Sequence, residues 1–262
     1  MAVCFSKKVQ NAFSRSASCY DRLSSLQQRI GEELFFYLPQ EKDYRFILDV
    51  GMGTGRMTQK LSALFPQAKI SGIDFAQGMV SWAKRQYSSF YVVQADAVHL
   101  PFRSHVFDLI YSNSAYQWVG NLKQAFQEVY RVLKRQGIFS MAMFAQKSLG
   151  ELFESLEYSC DYRLAASDLP LRKLAEKNCV YEALQQSGFQ DINIESRIIK
   201  VTFFDMFALL RWLKSIGANS HKEKMFLGRG VLLKANEYYK KNFKENEGVY
   251  ATFEIVSVNA KK

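Results

Sequence analysis

The chain has 262 residues, 48% of them apolar and 23% charged, and a formal charge of +10. That is enough chain for a real core at ordinary globular proportions, which excludes a disordered tail or a disulfide-held miniature. Four cysteines without CxxC spacing and only three histidines argue against a metal centre, so none is expected.

No apolar run is long enough for a membrane-spanning helix, and MAVCFSKKVQ lacks the apolar stretch of a secretory signal. A cytoplasmic location with reduced thiols and no membrane partner is expected. The basic balance favours an anionic partner: nucleic acid, an acidic protein or an acidic small molecule.

The spacing of Val9, Phe13, Leu23, Leu26, Ile30 and Leu34 predicts a helix, a bend near Ser16–Asp21 and a second helix ending near Pro39. From Phe46 strands and helices alternate. FILDV is a short buried strand, Arg56–Leu64 a helix and AKISGID a second strand. Gly78–Tyr87 is a helix, SFYVVQAD a third strand and VFDLIYSN a fourth. Asn121–Leu133 is a helix and GIFSMAMF a fifth strand. This order implies a parallel sheet with helices on both faces. Residues 148–180 read mostly helical. A helix follows at VYEALQQSG, then strand DINIESRIIKVTF, helices over 203–216 and 229–242, and a last strand at YATFEIVSVNAKK. Phe203, Phe204, Phe207, Leu210 and Trp212 suit ordinary core better than an apolar substrate cover.

The first strand runs into GMGTG, three glycines in five residues, just before a helix. Glycine there lets a ligand approach the free N–H groups of a helix N-terminus. Asp74 closes the second strand, where a carboxylate can accept both hydroxyls of a ribose. Asp96 closes the third, within reach of the amine of an adenine whose ring nitrogen would face the N–H of Ala97. Glycine loop, acid and acid on three successive strand ends describe a nucleoside site. A dinucleotide loop is normally GxGxxG, whereas the spacing here is GxGxG.

Together ILDVGMGTG, GID, QADAVHLPF, FDLIYSN and YRVLKRQG resemble the class I S-adenosylmethionine-dependent methyltransferases over roughly 45–145. The resemblance implies an α/β, Rossmann-like, mostly parallel seven-stranded sheet with S-adenosylmethionine as cofactor. KKVQNAFSRSASCYDRLSSLQQRIGEEL, SNSAYQW, FALLRWLKSIGANS and YATFEIVSVNAKK extend it to one branch, the malonyl-carrier-protein O-methyltransferases of biotin synthesis. That branch implies methylation of the free carboxylate of a malonyl thioester on acidic acyl carrier protein, or less favourably on coenzyme A. The expected layout is a single domain over 1–262. It comprises an N-terminal helical lid (1–40), a cofactor core (45–145), a helical insertion (148–178) and a C-terminal part (179–262) completing sheet and substrate pocket.

By the same resemblance Gly51, Gly53 and Gly55 surround the methionine moiety and Asp49 organises the loop. Asp74 takes the ribose, Asp96 and Ala97 the adenine, and Asn113 the amino-acid end. Tyr20 resembles a lid tyrosine, and Gln117 and Trp118 stand where the substrate pocket begins. An ionised carboxylate needs no general base; the work is alignment and desolvation. The sequence also departs from the family. Met52 replaces the more usual cysteine, and Glu154 and Glu157 occupy a helix where relatives tend to carry a carboxylate-binding arginine. Arg172, Lys173, Arg211 or Lys214 then supply the cation, and the lysine-rich stretch from Arg197 to Glu247 offers a basic face to the carrier. A methyltransferase acting on RNA or another small acid, or a non-catalytic relative, are the competing readings; no RNA-binding module is evident, so nucleic acid is not the expected partner.

Overall fold

The computed structural model describes residues 2–39, 42–160, 174–218 and 227–262, with only the helical backbone described for 2–6. Among the described residues eight strands form one sheet: β1 (Phe46–Val50), β2 (Lys69–Asp74), β3 (Tyr91–Gln94), β4 (Phe107–Asn113), β5 (Leu133–Phe144), β6 (Gln190–Phe203), β7 (Lys244–Glu245) and β8 (Gly248–Lys261). Seven follow the order β3-β2-β1-β4-β5-β8-β6, and the two-residue β7 pairs only with β8, an addition to the seven strands expected. β1 to β5 pair in parallel, whereas β8 runs antiparallel between β5 and β6. The order reverses at β1, which lies between β2 and β4, so their carboxyl ends flank a crevice.

Four of the five FILDV residues are buried, as a central strand covered on both faces requires. Alternate residues feed two cores: Ile47, Leu109, Tyr111, Ile138 and Ile255 on one face, Leu48, Ile110, Phe139 and Val256 on the other. The first face is covered by α3 (Ser25–Phe36), α4 (Arg56–Leu64), α7 (Gly150–Ser159), α9 (Met206–Ser215) and α10 (Arg229–Asn242). The second is covered by α6 (Leu122–Val132) and α8 (Lys177–Gln186). Asn121 and Asp205 cap α6 and α9, accepting the N–H groups of Gln124 and Ala208 at 3.1 and 2.7 Å.

The expected N-terminal bend is a break between α1 (Ala2–Ser16), the single turn α2 (Tyr20–Leu23) and α3. α1 lies on α5 (Gln77–Gln86). There Gly78 gives Ser14 its N–H at 3.1 Å, and a Cβ on Gly78 would fall 2.2 Å from the Ser14 carbonyl oxygen. Gln10 Nε2 donates to the Phe75 carbonyl at 2.6 Å. The fifth strand begins four residues earlier than the sequence suggests. Gln136 adopts the left-handed φ of 63° in VLKRQG and the register with β4 shifts there.

Candidate cofactor and acceptor site

The GMGTG turn is held by its neighbour. Gly51 and Met52 donate N–H to the Ile73 carbonyl at 2.8 and 2.9 Å, carrying β1–β2 pairing past the end of β1. Gly51, Gly53 and Gly55 all have positive φ, at 75°, 58° and 85°. Their surroundings differ. A Cβ at Gly51 would sit 2.3 Å from Ala115 Cβ, and one at Gly55 would sit 2.8 Å from Phe90 Cζ. From a Cβ at Gly53 no atom of the described residues lies within 4 Å, and this glycine lines the cleft. Met52 is buried at 5% exposure with its sulfur against Gly72 of β2, so the departure from the usual cysteine is absorbed by core packing.

Two carboxyls stand beneath the turn. Asp49 is 1% exposed and accepts the Thr58 hydroxyl at 2.7 Å; burial pushes its carboxyl up to about 7, against that hydrogen bond and with help from Asp74. Asp74 accepts the N–H of Ala76 at 2.8 Å and of Gly53 at 2.9 Å. Burial still pushes its carboxyl up to about 6. Burial also raises the Tyr20 hydroxyl, with Asp74 and Asp21 adding to it. An open glycine cradle above two desolvated carboxyls fits a ligand with hydroxyl and ammonium donors.

The cleft over this floor is lined by Tyr20, Gln27, Asp49, Gly53, Thr54 and Asn113, among others. The N-terminal segment closes it: Thr54 Oγ1 donates to Asp21 at 2.6 Å, and Asn113 Nδ2 donates to the Gln27 carbonyl at 2.8 Å. One turn further along α3, Tyr111 donates its hydroxyl to the Gly31 carbonyl at 2.9 Å. A Cβ on Gly31 would lie 2.6 Å from Asn113 Nδ2, so glycine lets the helix seat this closely.

Adjoining the cleft is a cavity of about 250 Å³, mostly apolar, walled by Phe13, Trp118, Phe153, Trp212, Leu213 and Phe253. Gln117 and Trp118, on a short 3-10 turn (Tyr116–Trp118), both line it, as does Tyr20. Phe13 stacks edge-on to Trp118 at 5.3 Å between centroids, so α1 forms part of this wall. Trp212 donates its indole N–H to the Leu23 carbonyl at 2.8 Å, tying α9 to the N-terminal segment. Of the aromatic residues expected as core, Trp212 thus lines the cavity, Phe203 and Phe207 pack beside the core, and Phe204 is 77% exposed.

The remaining expected residues do not all converge. Asp96 is exposed, accepts the Val98 N–H at 3.1 Å, and with half-buried Ala97 stands beyond the lining of the cleft, from which Asp74 and Gly55 are also set back. Arg211 and Lys214 stand outside the cavity lining. They are exposed, while Trp212, Leu213 and Ile216 face the cavity, and Arg211 lies 4.0 Å from Asp205. Arg172 and Lys173 lie outside the described residues. Glu157 lines the cavity, whereas Glu154 turns away and accepts the Tyr238 hydroxyl at 2.8 Å. Among the described residues no lysine or arginine lines the cavity, and no cluster suits a metal ion. Asp21, Thr54 and Gln27 were not singled out in the sequence; YDRLSSLQQ beside the predicted bend was the available signal.

A methyltransferase domain family matches residues 48–141. A malonyl-[acyl-carrier protein] O-methyltransferase of Geobacter sulfurreducens is 33% identical, covering 95% of this chain and 96% of its own. One of the same name from Methylovorus is 29% identical over 97% and 88%. Among solved structures, a methyltransferase from Bacillus halodurans superposes with a TM-score of 0.60 at 19% identity, over 88% of this chain and 98% of its own, a likeness of fold. The strand order, the cradle at Gly53 and the near full-length likeness agree: the chain belongs to the malonyl-[acyl-carrier protein] O-methyltransferase family of S-adenosylmethionine-dependent class I enzymes.

Proposed function

We propose that this protein methylates the free carboxylate of a malonyl thioester carried by acyl carrier protein, with coenzyme A a poorer carrier, as an early step toward biotin. The observation that carries this reading is the continuity of the two cavities. A polar cleft over Asp49 and Gly53 meets an apolar cavity of acyl size through two shared residues, Tyr20 and Gln27. The cofactor supplies an electrophilic methyl group on a positive sulfonium. That methyl group would pass to a carboxylate oxygen, the S–C electron pair staying on sulfur as the O–C bond forms. Both charges vanish and no proton moves, so the reaction asks for no histidine, and none lines the cavity among the described residues. Desolvation in the apolar cavity strengthens the attraction between the opposite charges.

In this reading Gly51, Gly53 and Gly55 shape the loop around the methionine moiety, and the Asn113 carbonyl takes its ammonium. Asp49 holds the loop through Thr58. Asp74 receives the ribose, and Asp96 and Ala97, one strand further along the rim, meet the adenine edge. Tyr20, Gln117 and Trp118 set the acceptor against the methyl group. Arg211 and Lys214, exposed beside the cavity wall, meet the acidic surface of the carrier and not the malonyl carboxylate. The reaction belongs in the cytoplasm, a reducing compartment in keeping with the thiols of Cys19 and Cys179.

Labelled S-adenosylmethionine offered with malonyl-carrier protein, malonyl-coenzyme A and acetyl-carrier protein tests the reading. Label should enter the malonyl thioesters, the carrier form fastest, and leave the acetyl form unmarked. Cofactor binding without transfer to either malonyl thioester would overturn it.

A further inference from the structure

Of the residues that line both cavities, one carries an unmet hydrogen-bonding group. Gln27 is 7% exposed, and its backbone carbonyl is fixed by Asn113 Nδ2 at 2.8 Å. Its side-chain oxygen is buried and has no hydrogen-bond partner among the described residues. A buried amide left unmatched costs stability, and such groups are normally paired. Here the pairing group is not a neighbouring side chain, because the amide stands where the cleft opens into the acyl cavity.

We propose that the Gln27 carboxamide is the polar contact shared by the two ligands: its oxygen receives the ammonium of the cofactor's methionyl end, and its N–H groups hold the acceptor carboxylate. The inference rests on the carboxylate-methylation reading above. A carboxamide is suited to this place because it carries an acceptor and two donors on one neutral group. A glutamate would keep the ammonium and repel the acceptor; a lysine would do the reverse. Asn113 anchors the first turn of α3 at this junction, so the amide is held on a rigid element and aligns the two ligands.

Gln27→Met keeps the volume and removes the hydrogen bonds; Gln27→Glu keeps the shape and adds a charge. The measurements are melting temperature, S-adenosylhomocysteine affinity by calorimetry, and kcat and KM for malonyl-carrier protein between pH 6 and 8. Gln27→Met should weaken homocysteine-product binding and raise acceptor KM by about tenfold each, the scale of a hydrogen bond to a charged group, with melting little changed. Gln27→Glu should keep product affinity and raise acceptor KM by about tenfold or more at pH 8. As a ratio to the unmodified protein, that defect should shrink toward pH 6, because burial raises the new carboxyl and lets it take up a proton there. A Gln27→Met protein that binds both ligands normally overturns the proposal, and a loss confined to one ligand overturns the shared role. Should Gln27→Met fail to fold, the pH-dependent KM of Gln27→Glu decides. Failure of the unmodified protein to methylate any malonyl thioester counts against the malonyl reading alone; unchanged product affinity in Gln27→Met still overturns the role of Gln27.

Discussion

Asp74 Oδ2 accepts the amide N–H of Gly53 at 2.9 Å, so the end of β2 holds the turn after β1. The other oxygen, Oδ1, accepts the Ala76 N–H at 2.8 Å. Two backbone donors thereby fix the carboxylate plane while leaving lone pairs for a further donor.

Asp74→Asn turns one of those acceptors into a donor facing the Gly53 or Ala76 N–H, and should loosen the loop as well as the proposed ribose contact. Affinity for S-adenosylhomocysteine should fall at least tenfold, on the scale of about 1.5–3 kcal/mol for hydrogen bonds to charged groups. Calorimetric titration checks this. Unchanged affinity would remove Asp74 from the site.

The three loop glycines should separate into a packing class and a ligand class. Gly51→Ala brings a methyl within 2.3 Å of Ala115 Cβ, so melting temperature should drop sharply before any ligand is added. Gly53→Ala meets nothing within 4 Å. It should cost only the roughly 1–2 kcal/mol of a left-handed alanine, yet lose cofactor binding because the methyl intrudes on the cradle. Melting curves with and without S-adenosylhomocysteine distinguish the two. A ligand-induced shift retained in Gly53→Ala would show that the cradle is not where the cofactor lies.

That contrast also explains what was legible in the sequence. Backbone geometry leaves a trace in residue type, so GMGTG and the acids at strand ends could be read directly, and β-strand alternation gave the sheet. The place of Gln27 left no such trace, because it arises from Asn113 drawing α3 over the end of β4, a contact between residues 86 positions apart. The outward position of Arg211 and Lys214 does have a sequence signal. Leu209, Leu213 and Ile216 share one arc of α9, and at roughly 100° per residue positions 211 and 214 fall on the opposite side. Residue chemistry suggested a carboxylate ligand; helix periodicity contradicted it. The antiparallel placement of β8 between β5 and β6 was not legible either, since β8 reaches its place by a long-range pairing that no local pattern encodes.

Asp49 and Asp74 impose a pH dependence whose sign follows from burial. Their carboxyls sit at about 7 and about 6 in the folded protein, above the ordinary 3.8, so the folded state holds protons that the unfolded chain has released. The ligand-free protein should therefore lose stability as pH rises from about 4 to 7, and gain affinity for a positively charged ligand over the upper part of that window. Asp49→Asn is neutral throughout. Its melting temperature should fall less than that of the unmodified protein between pH 5 and 8, while cofactor binding weakens and loses part of its pH dependence. Identical melting profiles for the two proteins would show that Asp49 does not carry the effect.

Arg211 and Lys214 test how charge is divided between the cavity and its exterior. Both are exposed on α9, whose inner side presents Trp212 and Leu213 to the acyl cavity. If they meet the carrier, Arg211→Glu with Lys214→Glu should raise KM for malonyl-carrier protein by about five- to tenfold at low salt, with the difference fading as ionic strength screens it. KM for malonyl-pantetheine, which has the acyl arm without the protein, should stay within about twofold, since exposed charges couple weakly across solvent. Equal losses for both substrates would return these residues to the acyl carboxylate and require α9 to turn its outer face inward on binding. A loss for the carrier alone keeps them outside, where their basic charge recruits the carrier.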